Sequence, residues 1–396
     1  MILLISLSGL ALQLAYAPLW DISPQQVEGF RVEQKVEPEE GFTSVKIFNQ
    51  YKDLVPEHLK KPADVFEAYT SGAVSMKAVQ QYLYETRIYD ELTRELMFSV
   101  AGNASFIPAK ELCFALQRQH TYRIRLQVRY YLDRGEIQPV LDYTLLWLSH
   151  CQKSVSESSP ASMLDGMIRV ILYEKALGNL EDLLPSLAPD QWAEAVKILE
   201  ETPDLRKFAW KLFEGEFRFM KKFAQENILT FKSFSYFFGD FPFDLLPIPP
   251  LLYQPNRTLN AQWEDFQIWK PFLTAPLSHR KNLPYPALDL APLTTPVRFY
   301  NFYGRKLIQL NRELNIFEDA VRACLEKETR AAALRVSIRL MQGESPPFRD
   351  LLDPYTGHPI HVRPDLQAVI SAGKDQTLGS EDDLEFKVIR SLKPVE

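Results

Sequence analysis

Asp375, Glu381, Asp382 and Asp383 place four carboxylates in the Gly373–Asp383 stretch. Together with backbone carbonyls they make an oxygen-rich set of the kind that binds Ca²⁺. The spacing is not that of an EF-hand, so an acidic surface hairpin that holds no ion is the other reading. Of the six histidines only His358 and His361 are close in sequence, and Pro359 between them disrupts a helical metal pair. They are expected on an exposed turn. There is no GxSxG, HExxH, P-loop or suitably placed GxGxxG. Cys113, Cys151 and Cys324 form no CxxC and no Cys/His cluster. Cys113 and Cys151 fall on apolar helix faces and read as small buried hydrophobes, with a disulfide between them as the alternative. Asp142 and Asp165 come nearest to the apolar setting of a tuned acid or base, but Asp165, and Arg169 facing Glu174, read better as interhelix polar contacts. No catalytic residue is assigned, no cofactor is expected beyond that Ca²⁺, and a hydrolase ranks third among the functional classes.

The elements that position these residues are helical. Val140, Tyr143, Thr144, Trp147, Leu148 and Cys151 fall at i, i+3, i+4, i+7, i+8 and i+11, one face of a helix opened by Pro139. Around it, residues 108–220 read as consecutive antiparallel helices. The first runs from Pro108 to Gly135. The third carries Leu164, Met167, Ile168, Ile171 and Leu172 and stops at Gly178 and Asn179. Asp190 caps a fourth, and Asp204 opens a fifth. Upstream, Phe42–Tyr51 and Pro62–Tyr69 look like short helices and Ser75–Val100 like a longer one. No repeat of fixed period is present, so the fold expected is mainly α, an irregular α-solenoid of tetratricopeptide-like helix pairs.

The flanking segments differ in kind. Residues 1–20 are apolar with no charge before Asp21, which reads as a membrane anchor or signal segment. Residues 21–40 are a polar, acidic linker to a helical domain over 41–230. Residues 231–302 are dense in Pro and aromatic residues and are expected to wrap the helices as extended ropes, since proline at that density excludes long helices. Asn256-Arg257-Thr258 has the form of a glycosylation sequon. Helix resumes over 303–345, where Glu326, Glu328, Arg330, Arg335 and Arg339 are spaced as a solvated face. Residues 346–396 form a small β tail, with Ile360–Val362 and Ala368–Ser371 as a hairpin.

The tail carries the most specific pattern. Asp353-Pro354-Tyr355-Thr356-Gly357-His358-Pro359, then Ser371 to Asp383, resembles the C-terminal part of type II secretion pseudopilins and of N-terminally anchored bacterial envelope proteins with a helical body. In those a "DPxTGxP" turn precedes a strand and an "SxGxDxxxGTxDD" loop. Ser380 stands where that pattern usually has threonine and Gln376 where it often has glycine. The resemblance implies calcium in the loop. No pilin-type leader accompanies it, because Gly41–Thr43 lies far past the apolar segment.

A net charge of -6 and a pI near 5.7 give no global attraction to nucleic acid or anionic lipid. The 28 prolines against 15 glycines suit helices joined by stiff connectors. The expected function is a non-catalytic, membrane-anchored envelope scaffold that binds another protein, on the periplasmic side of a bacterial inner membrane or exported. The alternative is a secretion or pilus component. No small-molecule ligand is indicated.

Overall fold

Ten α-helices and one antiparallel sheet make up residues 62–86, 111–156, 159–160, 162–226, 253–277, 279, 283–286, 302–313 and 315–390, which the computed structural model describes. The helices are α1 (Pro62–Thr70), α2 (Met76–Glu85), α3 (Glu111–Arg134), α4 (Ile137–Ser156), α5 (Met163–Leu183), α6 (Pro189–Glu200), α7 (Leu205–Glu226), α8 (Pro255–Thr274), α9 (Phe302–Glu313) and α10 (Ile316–Met341). Strands β1 (His361–Val362), β2 (Ala368–Ser371) and β3 (Leu384–Lys387) follow in the sheet order β1-β2-β3. The mainly helical expectation holds, and the tail has one strand more than a hairpin. Among the described residues no helix is long and apolar enough to cross a membrane. The predicted anchor, the linker and the Phe42–Tyr51 helix lie outside the described residues.

Burial follows the sequence most closely at α4. Val140, Thr144, Trp147, Leu148 and Cys151 are buried and Tyr143 half-buried, as their spacing requires. Gly135, at φ 75, turns the chain out of α3, and only Glu136 separates it from α4. α2 begins where expected, with Ser75 accepting a hydrogen bond from the Ala78 amide, but it ends at Glu85. The Thr86 hydroxyl closes it by donating to Tyr82 O at 2.8 Å. The remainder of the predicted Ser75–Val100 helix is outside the described residues.

Several boundaries are corrected by packing. α5 does not stop at Gly178 and Asn179: Leu180, Leu183 and Leu184 carry its apolar row onward, and Asn179 is fully buried. Gly178 lies under Arg330 of α10, whose guanidinium is 3.5 Å from where a Cβ would stand. Asp190 sits in the first turn of α6 rather than capping it, and Gln191 instead accepts from the Ala188 amide at 2.9 Å. Asp204 does cap α7, accepting from the Lys207 amide at 3.2 Å. α7 passes close to the start of α5 at two glycines. Gly166 faces the Leu212 side chain, and a Cβ on Gly215 would come within 2.5 Å of the Pro160 carbonyl.

The largest correction falls in the proline-rich segment, where α8 is a core helix of 20 residues. Pro255 occupies its first turn, where no partner for the missing N–H is needed, and Pro271 its last, on the exposed side. Along the helix Leu259, Trp263, Phe266, Trp269 and Leu273 recur at helical spacing and are buried. Phe266 stacks on Phe213 of α7 at 4.8 Å, and Trp263 reaches Trp210 and Phe217. The sequon is part of this helix: Thr258 is buried and donates to Gln254 O at 2.9 Å.

The helix expected over 303–345 is two helices, broken at Asn315, which holds the left-handed φ of 50. α10 is the element the rest of the fold shares. Phe317, Val321, Cys324, Leu325, Leu334 and Ile338 enter the buried cluster built by α3 to α8. Ala333 and Val336 enter a second cluster with Phe348, Leu351, Ile360, Val369 and Val388 of the tail. Its charged residues are not a solvated face. Arg330 bonds Glu181 of α5, with Nε to Oε2 at 2.9 Å, Glu328 faces Arg206 of α7 at 3.5 Å, and Arg339 grips Asp350 at 2.7 and 2.5 Å. In the tail, β2 is central and antiparallel to both neighbours, with His361 opposite Ile370 and Val369 opposite Phe386.

Candidate functional site

Asp353, 3% exposed, organises the turn that carried the sequence resemblance. Its Oδ1 accepts from the Tyr355 amide at 3.0 Å and Ser371 Oγ at 2.7 Å. Its Oδ2 accepts from Thr356 Oγ1 at 3.0 Å and the Ala372 amide at 3.2 Å. The backbone closes the same loop, with Asp353 N donating to His358 O and Gly357 N to Asp353 O, both at 2.8 Å. A single carboxylate therefore ties the turn to the end of β2.

The acidic loop is fastened to that turn by Gln376. Its Nε2 donates to Tyr355 O at 2.9 Å and Leu283 O at 3.2 Å. Gln376 adopts φ 59, a region that favours glycine. Tyr355 in turn stacks on Tyr285, ring centroids 6.2 Å apart. The tail is thus joined to the helical body through residues 283–286 as well as through α10.

Within the loop the three aspartates serve the loop's own donors. Asp375 Oδ1 accepts from the Thr377 amide at 2.8 Å, and Asp383 Oδ2 from the Gly379 amide at 2.7 Å. Asp382 Oδ2 accepts from the Asp375 amide at 2.9 Å and its Oδ1 from Ser380 Oγ at 2.6 Å. Partial burial pushes the Asp382 carboxyl up, but the bonds from Ser380, Asp375 and Lys374 outweigh it and hold it below the ordinary range. Glu381 is exposed. A side chain on Gly373, at φ 60, would strike the Asp382 carbonyl. Among the described residues no group of three or more His, Cys, Asp or Glu side chains is arranged to hold a metal ion. Ser380, where the pattern has threonine, keeps the hydroxyl that bonds Asp382.

The other candidates resolve individually. Asp165 and Arg169 do meet, but as a buried pair along α5, Nη2 to Oδ2 at 2.7 Å, with side chains 5% and 1% exposed. Arg169 also donates to Ser154 O of α4 at 3.1 Å. Arg169 does not face Glu174, which instead faces Lys327 and Arg330 of α10 at 3.5 and 3.8 Å. Asp142 is exposed and accepts from Gln138 at 2.7 Å. His358 and His361 are both exposed, His358 on that turn and His361 at the start of β1. Cys151 and Cys324 are buried free thiols, so Cys151 is not in a disulfide, and burial pushes both up, away from the nucleophilic thiolate. His150, stacked on Trp147, is pushed down to about 4 by burial and by Lys153, and is neutral at neutral pH. The Cys113 side chain lies outside the described residues.

Sequence reasoning missed two buried arginines, Arg123 and Arg206, and the partly buried Arg312. Arg123 donates to Leu83 O, Thr86 Oγ1 and Gln127 Oε1 at 3.1, 2.9 and 3.0 Å. Arg206 meets Asp204 and Glu328, and Arg312 grips Asp265 at 2.9 and 2.6 Å. The available signal was an arginine at an inward helical position, which demands an acceptor from another element.

Glu216 of α7 accepts from the Met163 amide at the start of α5, at 2.9 Å. Burial raises its carboxyl above the ordinary 4.5, and that amide bond only partly offsets the effect. The folded state then holds a proton that the unfolded state has released, so this residue subtracts stability as pH rises through that window. Glu216→Gln keeps an acceptor oxygen for Met163 without the charge. Urea melts are expected to show the variant more stable than the parent at pH 7, the gap closing as pH falls below 4.5. A constant gap at all pH values would refute the assignment.

No family model, no curated protein and no solved structure matches this chain.

Proposed function

We propose that the chain is a non-catalytic scaffold that holds another protein in the bacterial envelope, anchored through residues 1–20 with its body on the periplasmic side, or exported. The helical body, read as an irregular solenoid of tetratricopeptide-like pairs, offers the holding face. What supports this is an apolar row on α5: Leu164 is 63% exposed, Ile168 half-buried and Ile171 47% exposed. At i, i+4 and i+7 they share one side of the helix, and an exposed contiguous apolar surface marks interaction sites. The test is affinity purification of the full chain from membranes with mass spectrometry, alongside a Leu164→Glu/Ile171→Glu variant. A partner enriched with the parent and lost with the variant is the expected result. A partner set that is empty, or identical for the two proteins, would sink the reading.

A second reading, a secretion or pilus-related component with calcium in the Gly373–Asp383 loop, is favoured by one observation: the Asp353 turn, β2 and the acidic loop follow one another in the order of the pseudopilin pattern. Coordination by Asp375, Glu381, Asp382 and Asp383 would have to displace the loop's present hydrogen bonds. Tb³⁺ luminescence of the full chain, competed by Ca²⁺ and lost in Asp382→Asn, supports this reading; no sensitised emission removes it.

A further inference from the structure

A groove of about 400 Å³ lies between α2, α3 and the start of α4, and we propose that it binds a neutral carbohydrate. Its size is in the range of small-ligand sites, about 300–1,000 Å³. Three tyrosines stand among its polar lining residues. Tyr84 of α2 stands at the rim, 62% exposed, and Tyr131 of α3 is half-buried. Tyr130 lies deeper and meets Tyr131 edge to face, centroids 5.3 Å apart.

The polar groups between these rings are planar and already fixed. Arg134 Nε donates to Glu136 Oε1 at 2.7 Å and Nη1 to Tyr130 OH at 2.9 Å. Gln127 commits its amide oxygen to Arg123 and keeps two N–H donors. Two guanidiniums stand against one carboxylate: Glu136 answers Arg134, and Arg123, 1% exposed, donates to Leu83 O, Thr86 Oγ1 and Gln127 Oε1. Glu136 also precedes the first residue of α4, so the protein's own carboxylate stands where a helix N-terminus would attract an anion.

These features discriminate among ligand classes. An anion would meet Arg134 already paired with Glu136 and Arg123 buried, and a purely apolar ligand would cover polar groups without replacing their bonds to water. A pyranose suits both halves. Its C–H faces are apolar and lie against aromatic rings, while its hydroxyl edges both donate and accept, matching a guanidinium, an amide and a carboxylate. The site is independent of the apolar row on α5.

Saturation-transfer NMR on the full chain, with cellotetraose, chitotetraose and maltotetraose as probes at about 5 mM each, tests the proposal. Transfer to the ring C–H protons of at least one is expected, with affinity falling about tenfold in Tyr84→Ala and in Gln127→Leu. The second variant keeps side-chain volume, so it reports on hydrogen bonding even where the first is poorly folded. No transfer to any of the three, or transfer that both variants leave intact, overturns the proposal. Binding of inorganic phosphate at the same tyrosines that salt abolishes also overturns it, because the groove would then select charge.

Discussion

Asp353→Ala is expected to destabilise the protein by about 4 kcal/mol, because a carboxylate serving four donors disappears from a buried site. The amides of Tyr355 and Ala372 and the hydroxyls of Thr356 and Ser371 would lose their acceptor together. Bonds to a carboxylate contribute about 1.5–3 kcal/mol each, and partial relaxation of the two hydroxyls keeps the total below a simple sum. Asp353→Asn is the informative companion. One acceptor oxygen remains, but the amide N–H₂ then confronts either Ser371 and Tyr355 or Thr356 and Ala372, so about half the loss is expected. Urea denaturation gives the free energies. Hydrogen exchange gives the place: protection should fall first at β2 and the 353–360 turn. A loss under about 1 kcal/mol in Asp353→Ala would mean that the turn is held by its backbone bonds alone.

Arg169→Met is expected to cost about 3–5 kcal/mol, the range for removing one partner of a buried ion pair. The loss exceeds that of the pair itself, because Asp165 is left 5% exposed without its arginine and Ser154 O loses a donor. The double variant Asp165→Leu/Arg169→Met should recover most of the stability, since apolar side chains of similar volume replace buried pairs at little cost. Chemical denaturation of the parent, both single variants and the double variant closes the cycle. If the double variant is as unstable as Arg169→Met, the arginine is needed for its hydrogen bond to α4 rather than for Asp165. Surface pairs give a contrast: Arg129–Asp133, with the arginine 57% exposed, lies in the class worth under about 1 kcal/mol.

The C-terminal tail shows how much of a site was legible in the residues. Asp353-Pro354 with Gly357 and Pro359 announces a tight turn, and Ala368–Ser371 reads as a strand; both are found. The four loop carboxylates were legible as acceptors, but not that the three aspartates among them are already in use. Which donors an aspartate meets depends on the backbone path of the loop, and here Gly373, Gln376 and Gly379 at positive φ aim N–H groups inward at Asp375, Asp382 and Asp383. Sequence spacing carries no record of that path.

Helical period and capping chemistry were local, and the sequence by itself determined them. The inward face of α4, the caps at Ser75 and Asp204, and the stop at Gly135 depend only on residues within a turn or two of one another. Partner choice was not local. Arg330 finds Glu181 across 149 residues of chain, Tyr355 finds Tyr285, and α10 lies between the helical core and the tail. Even the existence of α8 was decided this way. A proline in the first turn costs a helix no bond and one inside the last turn costs one, and whether Pro255 and Pro271 could both be accommodated depended on Trp263, Phe266 and Trp269 having α7 and α10 to pack against. The period of a sequence says which side of a helix faces inward; only the assembled core says what it faces.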